Sequence, residues 1–164
     1  MARPDSQLPL LPSILDRLID REPDVSTEPA WRQAQSLREF EISVLRDLEA
    51  LLNTRQTRPD LADGSLEISQ SVLTYGLPEF SSVGVGSAAE RERLRVAVER
   101  CITRFEPRLR EVHVTIRDPE NEYDRALRMT IEGLLWVQPN PHAITFDTVL
   151  KPSQGQCTVT SRSH

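Results

Sequence analysis

The chain has 164 residues, the length of one domain, which is enough to bury a core without disulfides or a metal. With 38% hydrophobic and 27% charged residues it falls outside the disordered class, and a net charge of −5 gives no long-range attraction to nucleic acid or anionic membrane. No apolar run approaches the roughly 20 residues of a membrane span, and no leader pattern opens the chain, so neither membrane insertion nor export is expected.

Residues 1–35 read as an arm punctuated by Pro4, Pro9, Pro12, Pro23 and Pro29, each of which restricts its own φ and the residue before it. One short helix fits between prolines. Ser13 is its N-cap, Ile14, Leu15, Leu18 and Ile19 share a stripe, and Asp16 and Asp20 are expected outward. That apolar face must pack on the chain's own domain or on a partner. A single domain is expected over 36–160, followed by a tail at 161–164. Ser36 and Glu39 form a capping box, after which Leu37, Phe40, Val44, Leu48 and Leu51 recur at helical intervals, with Leu45 and Leu52 widening the stripe. Pro59 stops this helix.

Residues 60–86 are irregular: Asp63-Gly64 marks a turn, 71–80 (SVLTYGLPEF) is apolar but broken by Gly76 and Pro78, and 81–86 is a loop. A second capping box, Ser87 with Glu90, opens a helix that buries Leu94, Val98, Cys101, Ile102 and Phe105 and ends at Pro107. The period then switches to two. Val112, Val114 and Ile116 alternate with His113, Thr115 and Arg117, and an acidic connection follows at 118–124. Leu127, Met129 and Ile131 alternate again, and an apolar run covers 134–137. A turn lies at 138–141, Ile144, Phe146 and Thr148 line a third strand, and Cys157 to Val159 makes a short fourth. Helices first and strands afterwards predict an α+β fold, with N-terminal helices on a small antiparallel or mixed sheet and a C-terminal β-hairpin.

Several constellations bear on chemistry. A glycosidase needs two carboxylates flanking one bond, and Glu67, Glu79 and Glu106 are the conceivable acids, yet no spacing pairs any two of them. Cys101, His113, His142 and Cys157 are zinc-type ligands without the short spacing that closes a metal loop. Cys101 on a buried stripe is expected to be inert packing. Gly84-Val85-Gly86-Ser87 lacks the lysine of a phosphate loop and the third glycine of a dinucleotide fingerprint. Residues 88–110 hold seven Arg (91, 93, 95, 100, 104, 108, 110) against four Glu (90, 92, 99, 106), too few aromatics and too acidic a remainder for a nucleic-acid surface. No cofactor or metal is expected. Basic residues are almost all Arg, with Lys151 the one lysine; genome composition explains the ratio without excluding particular arginines from carboxylate contacts. Glu106-Pro107-Arg108 stands apart, because proline stiffens the joint between helix and strand and sets the directions of Glu and Arg. It reads either as an Arg fork offered to a partner carboxylate and oriented by Glu106, or as a helix stop with a surface ion pair of little worth.

Five segments in order carry a resemblance. They are 12–18 (PSILDRL), 71–80, FEPRL at 105–109, LLWVQPNP at 134–141 and ITFDTVL at 144–150. Together they resemble the TssE family of type VI secretion baseplate components, which includes the phage baseplate wedge protein often called lysozyme-like. Thr74 and Glu79 depart from the family's Asn and Asp, and Thr74 loses an amide able to bond locally. The resemblance implies a non-enzymatic cytoplasmic protein at the inner face of the cell envelope. It would join the wedge proteins TssF, TssG and TssK to the TssB/TssC sheath, seed sheath polymerisation, and use Glu106, Pro107 and Arg108 as an assembly contact. A peptidoglycan-cleaving muramidase is the alternative. The terminal hairpin is expected to offer a free strand edge, since neither Lys nor Pro interrupts 143–150 before Lys151 and Pro152.

Overall fold

The computed structural model describes residues 13–19, 36–61, 64–79, 87–117, 126–137, 140–151 and 156–162. The arm's five prolines, Asp20, Asp63, the 81–86 loop, the 118–124 connection, the start of the turn at Gln138-Pro139, Pro152 and the last two residues lie outside them.

Four α-helices are described: α1 (Ile14–Leu18), α2 (Leu37–Asn53), α3 (Leu66–Ser69) and α4 (Ala88–Phe105). Four strands follow: β1 (Leu109–Ile116), β2 (Leu127–Leu135), β3 (His142–Lys151) and β4 (Gln156–Ser161). The expected α+β fold is present, and the sheet is an antiparallel meander in the order β1-β2-β3-β4. At α2 both halves of the capping box form, with the Ser36 hydroxyl accepting from the Glu39 N–H and the Glu39 carboxylate accepting from the Ser36 N–H. At α4 the Ser87 hydroxyl accepts from the Glu90 N–H, one half of the expected box.

Helices α2 and α4 cover one face of the sheet. Phe40, Val44, Leu48 and Leu51 from α2 and Leu94, Val98 and Ile102 from α4 meet the alternate residues Leu127, Met129, Ile131, Ile144, Phe146 and Leu150 in one core. Each large apolar side chain removed from water there contributes about 1.5–3 kcal/mol before conformational entropy is set against it. The other face is polar, as expected of an antiparallel sheet covered on one side. Across it Arg117 and Arg162 both reach Asp147 on β3, at 3.2 and 2.7 Å, so residues at the ends of the two outer strands clasp the sheet.

One irregularity lets β1 follow α4 directly. Leu109 and Val112 both turn toward the core, which strict alternation forbids, and the register shifts between Arg110 and His113. The extra residue is absorbed at Glu111, whose φ of 51° lies in the left-handed region, as in a β-bulge. The 74–77 segment is an anchor. Leu77 is fully buried, Tyr75 meets Phe105 edge-on at 5.2 Å, and a Cβ on Gly76 (φ 98°) would sit 2.4 Å from the Thr54 carbonyl oxygen. The Thr74 hydroxyl lies 2.6 Å from the Ser69 carbonyl and 3.1 Å from that of Ser71, so it satisfies locally what an amide at this position was expected to provide.

Two expectations are corrected. First, β3 is not an edge strand: β2 and β4 flank it on both sides, which is why 143–150 needs no protecting Lys or Pro. Second, α1 is turned over. Asp16 faces the domain with its side chain 4% exposed, while Ile14 and Leu18 are 79% and 76% exposed. Among the described residues, no helix is long and apolar enough to cross a membrane.

Candidate functional site

The Glu-Pro-Arg joint occupies the corner where α4 gives way to β1. Glu106 is the C-cap of α4, and its N–H still donates to the Ile102 carbonyl. Pro107 cannot donate and ends the ladder, after which Leu109 enters the sheet and the Trp136 N–H donates to the Arg108 carbonyl at 2.7 Å. Arg108 therefore leaves the corner from backbone fixed on both sides.

All three guanidinium nitrogens of Arg108 are engaged within the chain. Nε donates to Glu106 Oε1 at 2.6 Å and Nη2 to Glu106 Oε2 at 2.5 Å, a bidentate grip. Nη2 also donates to Asp47 Oδ2 at 2.7 Å, Nη1 donates to the Ser43 hydroxyl at 3.0 Å, and the group lies 5.8 Å from the Phe40 ring centre. Burial alone would lower the Arg108 pKa, but the Glu106 and Asp47 carboxylates outweigh it and hold the guanidinium more firmly protonated than usual. Glu106 itself is 4% exposed. The pair is thus partly buried and sits in a network, unlike the isolated surface ion pair that the sequence left open.

The network continues to the arm. Arg46 donates to Asp47 Oδ1 from Nε and Nη2, and its Nη1 donates to Asp16 Oδ1 at 2.8 Å. Glu106, Arg108, Asp47, Arg46 and Asp16 alternate in sign along one path that links the corner, α2 and α1. Burial raises the Asp16 pKa, but the Ser13 and Arg46 hydrogen bonds overcome it and leave the carboxyl below its ordinary value. Outside this path Pro107 is exposed, and beside it Arg110 stacks 3.8 Å from the ring centre of Trp136, which is 46% exposed. A stacked Arg–Trp pair at the surface is the residue chemistry in which binding energy concentrates.

The structure thus joins Glu106 to Arg108 as the sequence expected, with Pro107 facing solvent. Sequence reasoning missed Ser43, Arg46, Asp47, Arg110 and Trp136. For Trp136 a signal existed: it follows the inward-facing Leu135, so alternation turns it outward. Nothing in the sequence connects Asp47 to Arg108 across 61 positions.

The other constellations come apart. Glu67 and Glu79 are exposed, while Glu106 is 4% exposed and accepts from Arg108 at both oxygens, so the three acids share no common site. Among the described residues no three His, Cys, Asp or Glu side chains are grouped to hold a metal. The Cys101 thiol donates to the Gly76 carbonyl, and burial pushes the thiols of Cys101 and Cys157 up to about 12, so neither is an available nucleophile.

The outer edge of β4 is also partly closed. Asn53 at the end of α2 donates to the Cys157 carbonyl at 2.8 Å and accepts from the Cys157 N–H at 2.7 Å, as a neighbouring strand would. Glu49 accepts from the Val159 N–H at 3.5 Å.

No curated protein and no solved structure matches the chain. The family model of the baseplate wedge protein gp25 matches residues 38–140, from the start of α2 through the corner and the whole of β1 and β2. The braced corner therefore lies inside the matched region, and the chain belongs to the baseplate wedge protein gp25 family.

Proposed function

We propose that this protein is a non-enzymatic component of a type VI secretion baseplate, at the cytoplasmic side of the cell envelope. It joins the wedge proteins TssF, TssG and TssK to the TssB/TssC sheath and seeds sheath polymerisation by offering a strand edge. Membership of a baseplate wedge family supports the structural role. The observation that carries the reading is the corner: Glu106 and Arg108 fix the backbone on either side of the exposed Pro107, and the same ion network extends to α1.

In this reading Glu106, Pro107 and Arg108 form a partner contact of fixed shape. Pro107 is its apex, the stacked Arg110–Trp136 pair its flank, and Glu106 and Arg108 keep the surface from yielding. The outward stripe of α1 suits docking into a wedge neighbour, because an apolar helix face left exposed among the described residues gains from burial on another chain.

The test is to combine the purified chain with the neighbouring wedge proteins and follow co-elution by size exclusion. Co-elution is the expected result. Failure to associate, together with clearing of a cell-wall suspension that a single Glu substitution abolishes, would replace this reading with the muramidase.

A further inference from the structure

Helices α2 and α4 cover one face of the sheet and leave the other open, where Thr115, Glu132, Thr158 and Thr160 are exposed. Alternation along the strands sends Arg110, Arg117, Arg128, Lys151 and Arg162 to this open face. Against them stand the carboxylates of Glu132 and Asp147, with Glu111 at the bulged rim. The chain as a whole carries a net charge of −5, so the face opposes the sign of the molecule. At one end two guanidiniums share one carboxylate. Arg162 donates to both oxygens of Asp147 at 2.8 and 2.9 Å, and Arg117 reaches the same group at 3.2 Å. At the other end Arg110 lies 3.8 Å over the Trp136 ring centre, and no carboxylate among the described residues meets it. A guanidinium held flat on an indole keeps its N–H edge ready for a bidentate carboxylate. Beside the stack, Leu134 and Ala143 pair across β2 and β3, the first half-buried and the second exposed.

We propose that this open face docks an acidic segment of a partner polypeptide, with Arg110 as the fork that takes one of its carboxylates. The site goes beyond the corner contact and shares with it only the Arg110–Trp136 stack. Charge complementarity sets the partner's sign, and Leu134 and Ala143 beside the fork favour an apolar side chain next to the bound carboxylate. The dimensions set its size. From Leu134 to Arg128 the face runs about 20 Å along β2, and the four strands span about 15 Å. That is well short of the ~800 Å² per partner of a standard interface, and suits one helix or extended segment instead of a second globular domain. A nucleic acid fits less well. Among the described residues Trp136 is the one aromatic on this face, and Arg110 already occupies one side of its ring. Phosphates running past the face would also meet an acidic molecule, whereas a short segment stays within the roughly 8–10 Å over which the local charge acts.

The test is an NMR titration of the isotope-labelled full chain with a peptide of about 12 residues rich in Glu and Leu, long enough as a helix to span the face. The expected result is movement of the Trp136 indole N–H signal and of the Thr115, Thr145 and Thr158 amides, with affinity that falls as salt rises. Arg110→Glu should weaken binding about tenfold, since a repulsion replaces an attraction, and Arg110→Lys should fall between, keeping the charge without the fork. Both variants should melt close to wild type, because Arg110 is exposed. No binding, unchanged affinity in Arg110→Glu, or signals that move only in α1 or around Pro107 would overturn the proposal. An oligo-dT of the same length bound as tightly at the same residues would overturn the choice of a polypeptide partner. Binding gained only after Asp118→Asn, Glu120→Gln, Glu122→Gln and Asp124→Asn together would make the chain's own acidic connection the occupant, and would overturn that choice as well. Because the probe is a peptide, failure of the wedge proteins to co-elute would remove the adaptor reading and leave this result standing.

Discussion

Arg108 braces the fold from within, which changes what its substitution tests. Removing the guanidinium leaves Glu106 buried without its bidentate partner and Asp47 and Ser43 each short of a donor. Arg108→Ala should therefore cost roughly 3 kcal/mol in urea denaturation, the low end for breaking a buried ion pair because Arg108 retains some solvent contact. Arg108→Lys keeps the charge but loses the fork, and should cost about 1 kcal/mol. A cost near zero for Arg108→Ala would mean that the network contributes little and that Glu106 finds water instead. The contact between Glu106 and Arg108 was legible in the sequence because the two lie two positions apart around a proline. Their ties to Asp47 and Ser43 were not, since those depend on how α2 lies against the corner.

Among the elements, α1 departs furthest from what its sequence implied. Periodicity revealed a stripe of Ile14, Leu15, Leu18 and Ile19, but amphipathicity says only that a helix has two faces. Here the polar face is held inward by the Asp16–Arg46 pair, across 30 positions that no local pattern spans. Replacing Ile14 and Leu18 by Asp should leave stability within about 0.5 kcal/mol, as for other exposed sites, while abolishing co-elution with the wedge proteins. Full co-elution would exclude this face from the contact. The anchoring pair also carries a pH dependence. The Asp16 carboxyl titrates below its ordinary value in the folded chain, so its contribution is present above about pH 4 and is lost as pH falls through the lowered value. Amide protection in α1 should accordingly fall in that acid range before the sheet unfolds. Equal acid resistance of α1 and β2 would show that the pair does not hold the helix.

At the scale of the whole molecule, two helices and a four-stranded meander form a frame that leaves specific things outside: the Pro107 apex, the Arg110–Trp136 stack and the α1 stripe. The helices, the period switch and the antiparallel class could be read from the sequence, because caps, prolines and alternation are local signals. Which strand lies at the edge could not. Residues 143–150 read as open because they lack Lys and Pro, yet they are central, and β4 is covered by Asn53 from 104 positions away. The central claim is that a corner of fixed shape recruits other polypeptides. Its most direct test follows a fluorescent sheath in cells carrying Arg108→Lys, scored beside the melting temperature of the same purified variant. The expected result is a folded protein, present at normal levels, with sheath assembly lost or sharply reduced. Normal sheath assembly by that folded variant would contradict the claim.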